Sequence, residues 1–338
     1  MDVLVCAAQV PFTRGGLEML VEGLVGALKA EGHRAEAVSV PAAWDRERLL
    51  DAPAAWRLLP LDADLVVTTN FPSYYARHPR KVAWLIHQHR AAYDAIGQPW
   101  SDIGLDDDSL EVQRLLTDWD TQVLAEAERR YTISGVVSDR LARFNGLDSV
   151  PLAHPPPLAD RLRAGPPGDY VFTPCRLAAN KRPDRLVDGL AAARSGVRAV
   201  LAGTGPLHHD LVAAAAAGGV LDRLEMPGYV DDDALVELFA GALAVLYAPH
   251  DEDYGYVTLQ AFLAGKPVIT AADSGGVLEW VEHGVNGLVT DGTPAGIGAA
   301  IDRLAADPDA AARMGAAGHE RVARLDWPTV ARTLVGER

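Results

Sequence analysis

Short apolar runs alternate with longer amphipathic stretches along nearly all of the 338 residues, and one proline-rich interval cuts that alternation in two. A short apolar run bounded by turn residues suits a strand buried on both faces, and strands spaced by helical patterns make parallel βαβ units. In the first half this predicts strands near Val3–Ala7, Ala35–Ser39, Leu65–Thr69, Val82–His87 and Arg130–Ile133. Helices fit Leu17–Ala30, the region after Ser109, and Val136–Arg143. Gly32, just past a basic helix end, reads as a left-handed cap residue. The run Leu152-Ala153-His154-Pro155-Pro156-Pro157-Leu158 cannot be a central strand or a helix interior, because proline fixes φ and removes a donor. With Gly165-Pro166-Pro167-Gly168 it reads as a linker. A second series follows, with strands at Tyr170–Pro174, Ala199–Ala202, Leu224–Met226, Ala244–Tyr247, Pro267–Thr270 and Gly287–Val289. Its helices fit Pro183–Ala193, Leu207–Ala217, Asp232–Ala240, Tyr256–Ala264, Gly276–Glu282, Pro294–Ala306 and Asp307 onward.

The expected class is therefore α/β, with two Rossmann-like doubly wound domains, since the length exceeds one usual core. The expected divisions are 1–153, a linker over 154–168, and 169–315, with a final segment 316–338. Such sheets bind ligands at the carboxyl ends of their strands, which predicts a shared cleft. A net charge of −15 excludes a general nucleic-acid binder and adhesion to anionic lipid by charge. Cys6 and Cys175 fall in different halves and read as free thiols of a reducing compartment. The chain starts with a strand pattern, not a basic and then apolar leader, and no apolar run reaches about 18 residues. The expected location is cytoplasmic, without a transmembrane segment. Weak contact with a lipid-linked acceptor stays open.

The chemistry concentrates in the second half. Ala244-Val245-Leu246-Tyr247 ends in a proline and an acidic loop; then come Gly255, an apolar helix and Gly265-Lys266-Pro267. A helix start aims N–H groups at its loop and favours phosphate. Glu252 lies in the loop, and Gln260 lies eight residues on, on the helix. Arg176 and Lys181 follow the strand at Tyr170–Pro174. Arginine offers a fork to phosphate oxygens and lysine a point charge. Alone, such charges read more readily as solvated surface, and only the neighbouring motifs favour a phosphate site. Arg182 and Arg185 read as solvated helix positions. Gly203-Thr204-Gly205-Pro206 opens a helix, but His208 stands where a third glycine would belong, so an ordinary tight turn explains it as well. Gly228-Tyr229-Val230 precedes Asp231-Asp232-Asp233, which reads as helix cap and first-turn charge and not as a metal site. Gly275-Gly276 and Asn286-Gly287-Leu288 follow later strands.

Taken together, in this order and spacing, these motifs resemble glycosyltransferase family 4, the retaining GT-B enzymes that use nucleotide sugars. The resemblance covers nearly the whole chain, most tightly Tyr170 to Val289. It implies the GT-B fold, with the segment around Asp326-Trp327-Pro328 packing back onto the first domain. It implies that Arg176 and Lys181 stabilise the leaving diphosphate and that Glu252 orients the donor sugar. Gly203, Gly205, Tyr229, Val230, Tyr254, Gly255, Tyr256 and Val257 would line the donor, much of it through backbone groups. Gln260 stands where the family has the second glutamate of E–x7–E, the one that grips ribose. Charged hydrogen bonds are roughly twice as strong as neutral ones, so the change would cost donor affinity about 1 kcal/mol, or nothing after local rearrangement.

In the first half, Phe12-Thr13-Arg14-Gly15-Gly16-Leu17-Glu18 is similar to the family's G-G-x-E, which would bring Gly15 and Gly16 to the donor. Glu18 reads as first-turn helix charge. Val82 to Ile86 ends in His87-Gln88-His89, and a strand-end histidine resembles the family's active-site histidine, with His87 the first choice and His89 the second. Tyr93 and Ser134 are acceptor-side candidates, although plain packing is the favoured reading for the aromatic residues of this stretch. No carboxylate or cysteine set completes a metal site around the histidines. The expected activity is metal-independent retaining transfer of a sugar, a UDP-sugar first, to a hydroxyl of a small molecule, glycan or natural product, with no cofactor beyond the nucleotide-sugar co-substrate. The rival readings are an epimerase or hydrolase on the same fold, and an inactive nucleotide-sugar-binding partner.

Overall fold

The structure is a computed structural model and describes residues 1–12, 14–42 and 48–336; Thr13 of the glycine-rich run lies outside them. The chain forms two compact units, Met1–Pro155 with Leu325–Arg338, and Pro156–Arg324.

The first unit runs β1 (Asp2–Gln9), α1 (Gly16–Ala30), β2 (Arg34–Pro41), α2 (Ala52–Leu58), β3 (Leu65–Asn70), β4 (Lys81–His87), α3 (Asp107–Ala125), β5 (Arg129–Thr132), α4 (Gly135–Asn145) and β6 (Val150–Pro151). Among the described residues these strands make one parallel six-stranded sheet, ordered β2-β1-β3-β4-β5-β6. β3 is buried along its whole length and β4 in all but its last residue, which is why both read as continuous apolar runs. α1 ends as the sequence suggests: Gly32 sits at φ +87 and donates to the Lys29 carbonyl, while His33 donates to that of Leu28. That is a Schellman closure. α2 had no counterpart in the periodicity; at seven residues it is too short to show one.

The last helix, α11 (Trp327–Val335), belongs to this unit. Trp327 packs its ring edge-on to Trp84 and fills the space that a side chain at Gly23 would need, 2.3 Å from the ideal Cβ. Arg332 reaches both oxygens of Glu31 at 3.2 Å, and Arg129 donates to the Thr333 carbonyl.

The second unit runs β7 (Tyr170–Pro174), α5 (Asp184–Ala192), β8 (Arg198–Ala202), α6 (His208–Ala217), β9 (Leu224–Gly228), α7 (Asp232–Gly241), β10 (Ala244–Leu246), α8 (Tyr256–Leu263), β11 (Val268–Ala271), β12 (Gly287–Thr290), α9 (Pro294–Ala306) and α10 (Pro308–Val322). Its described strands form a second parallel six-stranded sheet, ordered β12-β11-β10-β7-β8-β9. Leu186, Leu190, Leu201, Leu246, Ile269, Ile297 and Ile301 are buried in one core cluster. Residues 156–168, read from the sequence as linker, are part of this unit: Lys266 Nζ donates to the carbonyls of Gly165 and Pro166. The expected helix over Gly276–Glu282 is instead a 3₁₀ turn, Gly276–Glu279. Gly275, at φ +60, brings the chain into contact with the Glu252 backbone at the start of this turn.

Candidate functional site

The order of the second sheet reverses between β7 and β10: successive strands from β7 run one way and those from β10 the other. In open α/β sheets such a reversal leaves a crevice at the carboxyl ends of the two strands, the usual place for a ligand. Arg176 and Lys181 leave the end of β7; Tyr247, Glu252 and the start of α8 leave the end of β10.

Three of these side chains meet. Lys181 Nζ forms an ion pair with Glu252 Oε2. The Tyr247 hydroxyl donates to the same oxygen at 2.9 Å, and Lys181 Nζ lies 3.5 Å from that hydroxyl. The Lys181 and Glu252 side chains are about a fifth exposed, 23% and 19%, so the pair is accessible without being fully solvated. Tyr247 is buried; desolvation first, then the charge on Glu252, holds its phenol well above the ordinary range. It is a neutral donor at any working pH. Arg176 is exposed, and its side chain makes no hydrogen bond or ion pair among the described residues.

The glycines bring these loops together. A Cβ on Gly203, at φ +134, would lie 1.9 Å from the Cys175 carbonyl oxygen, and one on Gly205 would lie 2.4 Å from that of Leu177. Leu177 N donates to the Thr204 carbonyl and Leu207 N to that of Leu177. Both glycines thus support the loop that carries Arg176, a packing role the Gly-x-Gly pattern alone does not reveal. Gly275 and Gly276 do the same for Glu252: their ideal Cβ positions fall 2.6 Å from the Glu252 carbonyl oxygen and 2.5 Å from that of Asp253. His250 N donates to the Asn180 carbonyl, tying the β10 loop to the β7 loop.

Arg182 corrects the sequence reading. It is no solvated helix position: its side chain is 12% exposed, sits at φ +48, and donates to Asp273 through both terminal nitrogens at 2.7 Å. It also donates to the carbonyls of Ala248 and Pro249, which fixes the entrance to the Glu252 loop. Asp273 is held below the usual carboxylate range, chiefly by this bond.

At the start of α8, Gly255 occupies the N-cap at φ +81 with no side-chain cap. Tyr254 is buried edge-on to Tyr256 and Trp280. Val257 is half-buried, as is Val230, while Tyr229 is 79% exposed. Gln260 is 7% exposed, and its amide Nε2 donates to the Pro157 carbonyl at 3.2 Å. A glutamate cannot make that bond when ionised. The amide has a purpose here that comparison with E–x7–E does not suggest.

The first-unit candidates divide. Gly15 is the N-cap of α1 and donates to Glu18 Oε2 at 2.8 Å; Gly16 opens the helix. His87 ends β4, half-buried, with Nδ1 2.8 Å from the Gln88 carbonyl. His89 packs against Phe71, and burial lowers its pKa to about 4, so it is neutral near pH 7. Ser134 is the buried N-cap of α4, accepting from Val137 N. Tyr93 is 1% exposed and donates to Asp120, which also accepts from Tyr74 and Tyr75. Its hydroxyl serves this buried cluster and is not presented to an acceptor. Among the described residues no group of three or more His, Cys, Asp or Glu could hold a metal ion, and no helix is long and apolar enough to cross a membrane.

Both units resemble known proteins. The solved structure of Anabaena HepE in complex with UDP and glucose aligns over 99% of this chain and 98% of that one, with TM-score 0.74 and 17% identity. Sucrose-phosphate synthase from Thermosynechococcus elongatus aligns over the same shares with TM-score 0.77 and 20% identity. At such identity the likeness establishes the fold, GT-B. Residues 162–321 match the family described as glycosyl transferases group 1. A GDP-mannose-dependent alpha-(1-6)-phosphatidylinositol monomannoside mannosyltransferase of Mycobacterium tuberculosis is 39% identical over 171 residues, 47% of this chain and 44% of the relative. A D-inositol 3-phosphate glycosyltransferase of Thermobispora bispora is 30% identical over 194 residues, 53% and 45% of the two chains. The chain thus spans less than half the length of these curated relatives.

Proposed function

We propose that this chain is a retaining glycosyltransferase that moves a sugar from a nucleoside diphosphate sugar to a hydroxyl acceptor. The observation that carries the reading is the meeting of Lys181, Glu252 and Tyr247 where the second sheet reverses, with the exposed Arg176 on the same loop as Lys181. Two cations and an uncapped helix start suit a diphosphate. A carboxylate beside them suits neighbouring sugar hydroxyls, because it accepts from both. As the bond from the anomeric carbon to the phosphate oxygen breaks, Arg176 and Lys181 stabilise the negative charge that builds on the diphosphate. The acceptor oxygen forms its new bond on the same face, and its proton passes to the leaving phosphate. Glu252 orients the sugar and forms no covalent intermediate. Gln260 Oε1 accepts from a ribose hydroxyl while its amide stays on Pro157. The family prior favours UDP; the mycobacterial relative is named for GDP-mannose, so both bases belong in the test.

Calorimetric titration with UDP and GDP, repeated on Arg176→Ala, tests the donor site. Micromolar binding of one nucleotide, reduced at least tenfold in the variant as expected for loss of a charge-assisted contact, supports it. Absence of binding by both nucleotides removes it.

A further inference from the structure

The sheet reversal carries a buried phenol where the sequence shows only an apolar strand end. Tyr247 is 4% exposed and directly follows β10. Its ring lies beside the start of α8, where a Cβ on Gly255 would fall 3.4 Å from Tyr247 Cε1. A phenylalanine would fill that space equally well. A buried hydroxyl costs free energy unless it is hydrogen-bonded, and this one donates to Glu252 Oε2, the oxygen that also holds Lys181. Two donors therefore converge on one carboxylate oxygen, and a single cation would be enough to neutralise it.

We infer that Tyr247 is a positioning residue that keeps the Glu252 carboxylate in place when Lys181 turns to the donor diphosphate. The inference rests on the donor-site reading above. With the site empty, Lys181 compensates Glu252. A diphosphate carries more negative charge than a carboxylate and competes for the lysine. Glu252 then loses its cation in a partly buried pocket, where an unpaired carboxylate swings toward water. The phenol prevents this. It is neutral, it is buried, and it has no reason to follow the phosphate. Its bond to Oε2 persists, and Oε1 remains for the sugar hydroxyls. Tyr247 should therefore affect recognition of the sugar and leave recognition of the nucleotide unchanged.

The test is Tyr247→Phe, titrated with UDP, GDP, UDP-glucose and GDP-mannose alongside the wild-type chain. The expected result is bare-nucleotide affinity within about twofold of wild type and sugar-nucleotide affinity lower by about tenfold, the worth of one hydrogen bond to a charged group. Glu252→Gln in the Tyr247→Phe background should then cost little more than Glu252→Gln alone, because the hydroxyl acts through that carboxylate. Equal weakening of nucleotide and sugar nucleotide, no weakening of either, or additive losses in the double variant would each overturn the inference while leaving the donor site standing. A wild-type chain that binds none of the four overturns the donor-site reading, and this inference with it.

Discussion

The substitution Gln260→Glu separates the structure from the pattern it departs from. By the pattern, a glutamate restores a charged ribose contact and tightens donor binding by about 1 kcal/mol. By the structure, it removes the amide that donates to the Pro157 carbonyl at 3.2 Å and places a carboxylate in a position 7% exposed. A buried acceptor left without its donor costs about 1–3 kcal/mol, and an ionised oxygen facing a carbonyl oxygen adds to that. For a domain of this size each kcal/mol lowers the melting temperature by roughly 2–4 °C, so the second unit should melt several degrees lower at neutral pH. The effect has a pH signature. Burial raises the pKa of the new carboxyl in the folded state, so the folded chain favours the protonated form. A protonated glutamate can donate to Pro157. The variant's stability relative to wild type is therefore best at low pH and worsens as pH rises through the raised pKa. Calorimetric unfolding of both chains at pH 5 and pH 7.5 reads this directly. A Gln260→Glu chain as stable as wild type at pH 7.5, or a deficit that does not change with pH, would refute the reasoning.

Other consequences are as concrete. Asp120 is fully buried, and desolvation raises its pKa to about 6 against the bonds from three tyrosines. Its folded pKa exceeds its unfolded one, so its contribution to stability is full below about pH 4 and is lost as pH rises through 6. The stability of wild type relative to Asp120→Asn should fall by about 2 kcal/mol between pH 4 and pH 7.5, measured by denaturant unfolding. Arg182→Ala should cost about 1–3 kcal/mol in the second unit, through lost bonds to two carbonyls and to the half-exposed Asp273, and Arg182→Lys should recover little of it because the paired geometry needs a fork. Gly203→Ala should destabilise the second unit by more than about 3 kcal/mol and abolish nucleotide binding in titration, since a side chain there collides with the Cys175 carbonyl and displaces the loop bearing Arg176.

Much of the fold was legible because buried parallel strands announce themselves: Val66-Val67 of β3 and Val82 to Ile86 of β4 can be little else. The helix cap at Asp231 is equally local, accepting from the amide of Ala234 three residues on. The site was legible only as residue types at intervals. That Lys181 meets Glu252, 71 positions later, follows from the sheet reversal and not from either motif. For the same reason Tyr247 looked like strand and Arg182 like surface, since their partners lie on other loops. Tyr93 shows the opposite case: an aromatic residue among acids fits an acceptor surface or plain packing, and packing holds because its acid, Asp120, is buried with it. From sequence, Gly203 and Gly205 fit a ligand turn and an ordinary tight turn alike, and the structure shows the backbone they approach.

The central claim is that a donor diphosphate sits between the β7 and β10 loops of the second unit. A crystal structure of the chain with UDP or GDP bound tests it most directly. The diphosphate is expected within hydrogen-bond distance of Arg176 and Lys181, with the Lys181–Glu252 ion pair opened and the Tyr247 hydroxyl still on Glu252. A nucleotide bound elsewhere, or bound with that ion pair intact, would contradict it.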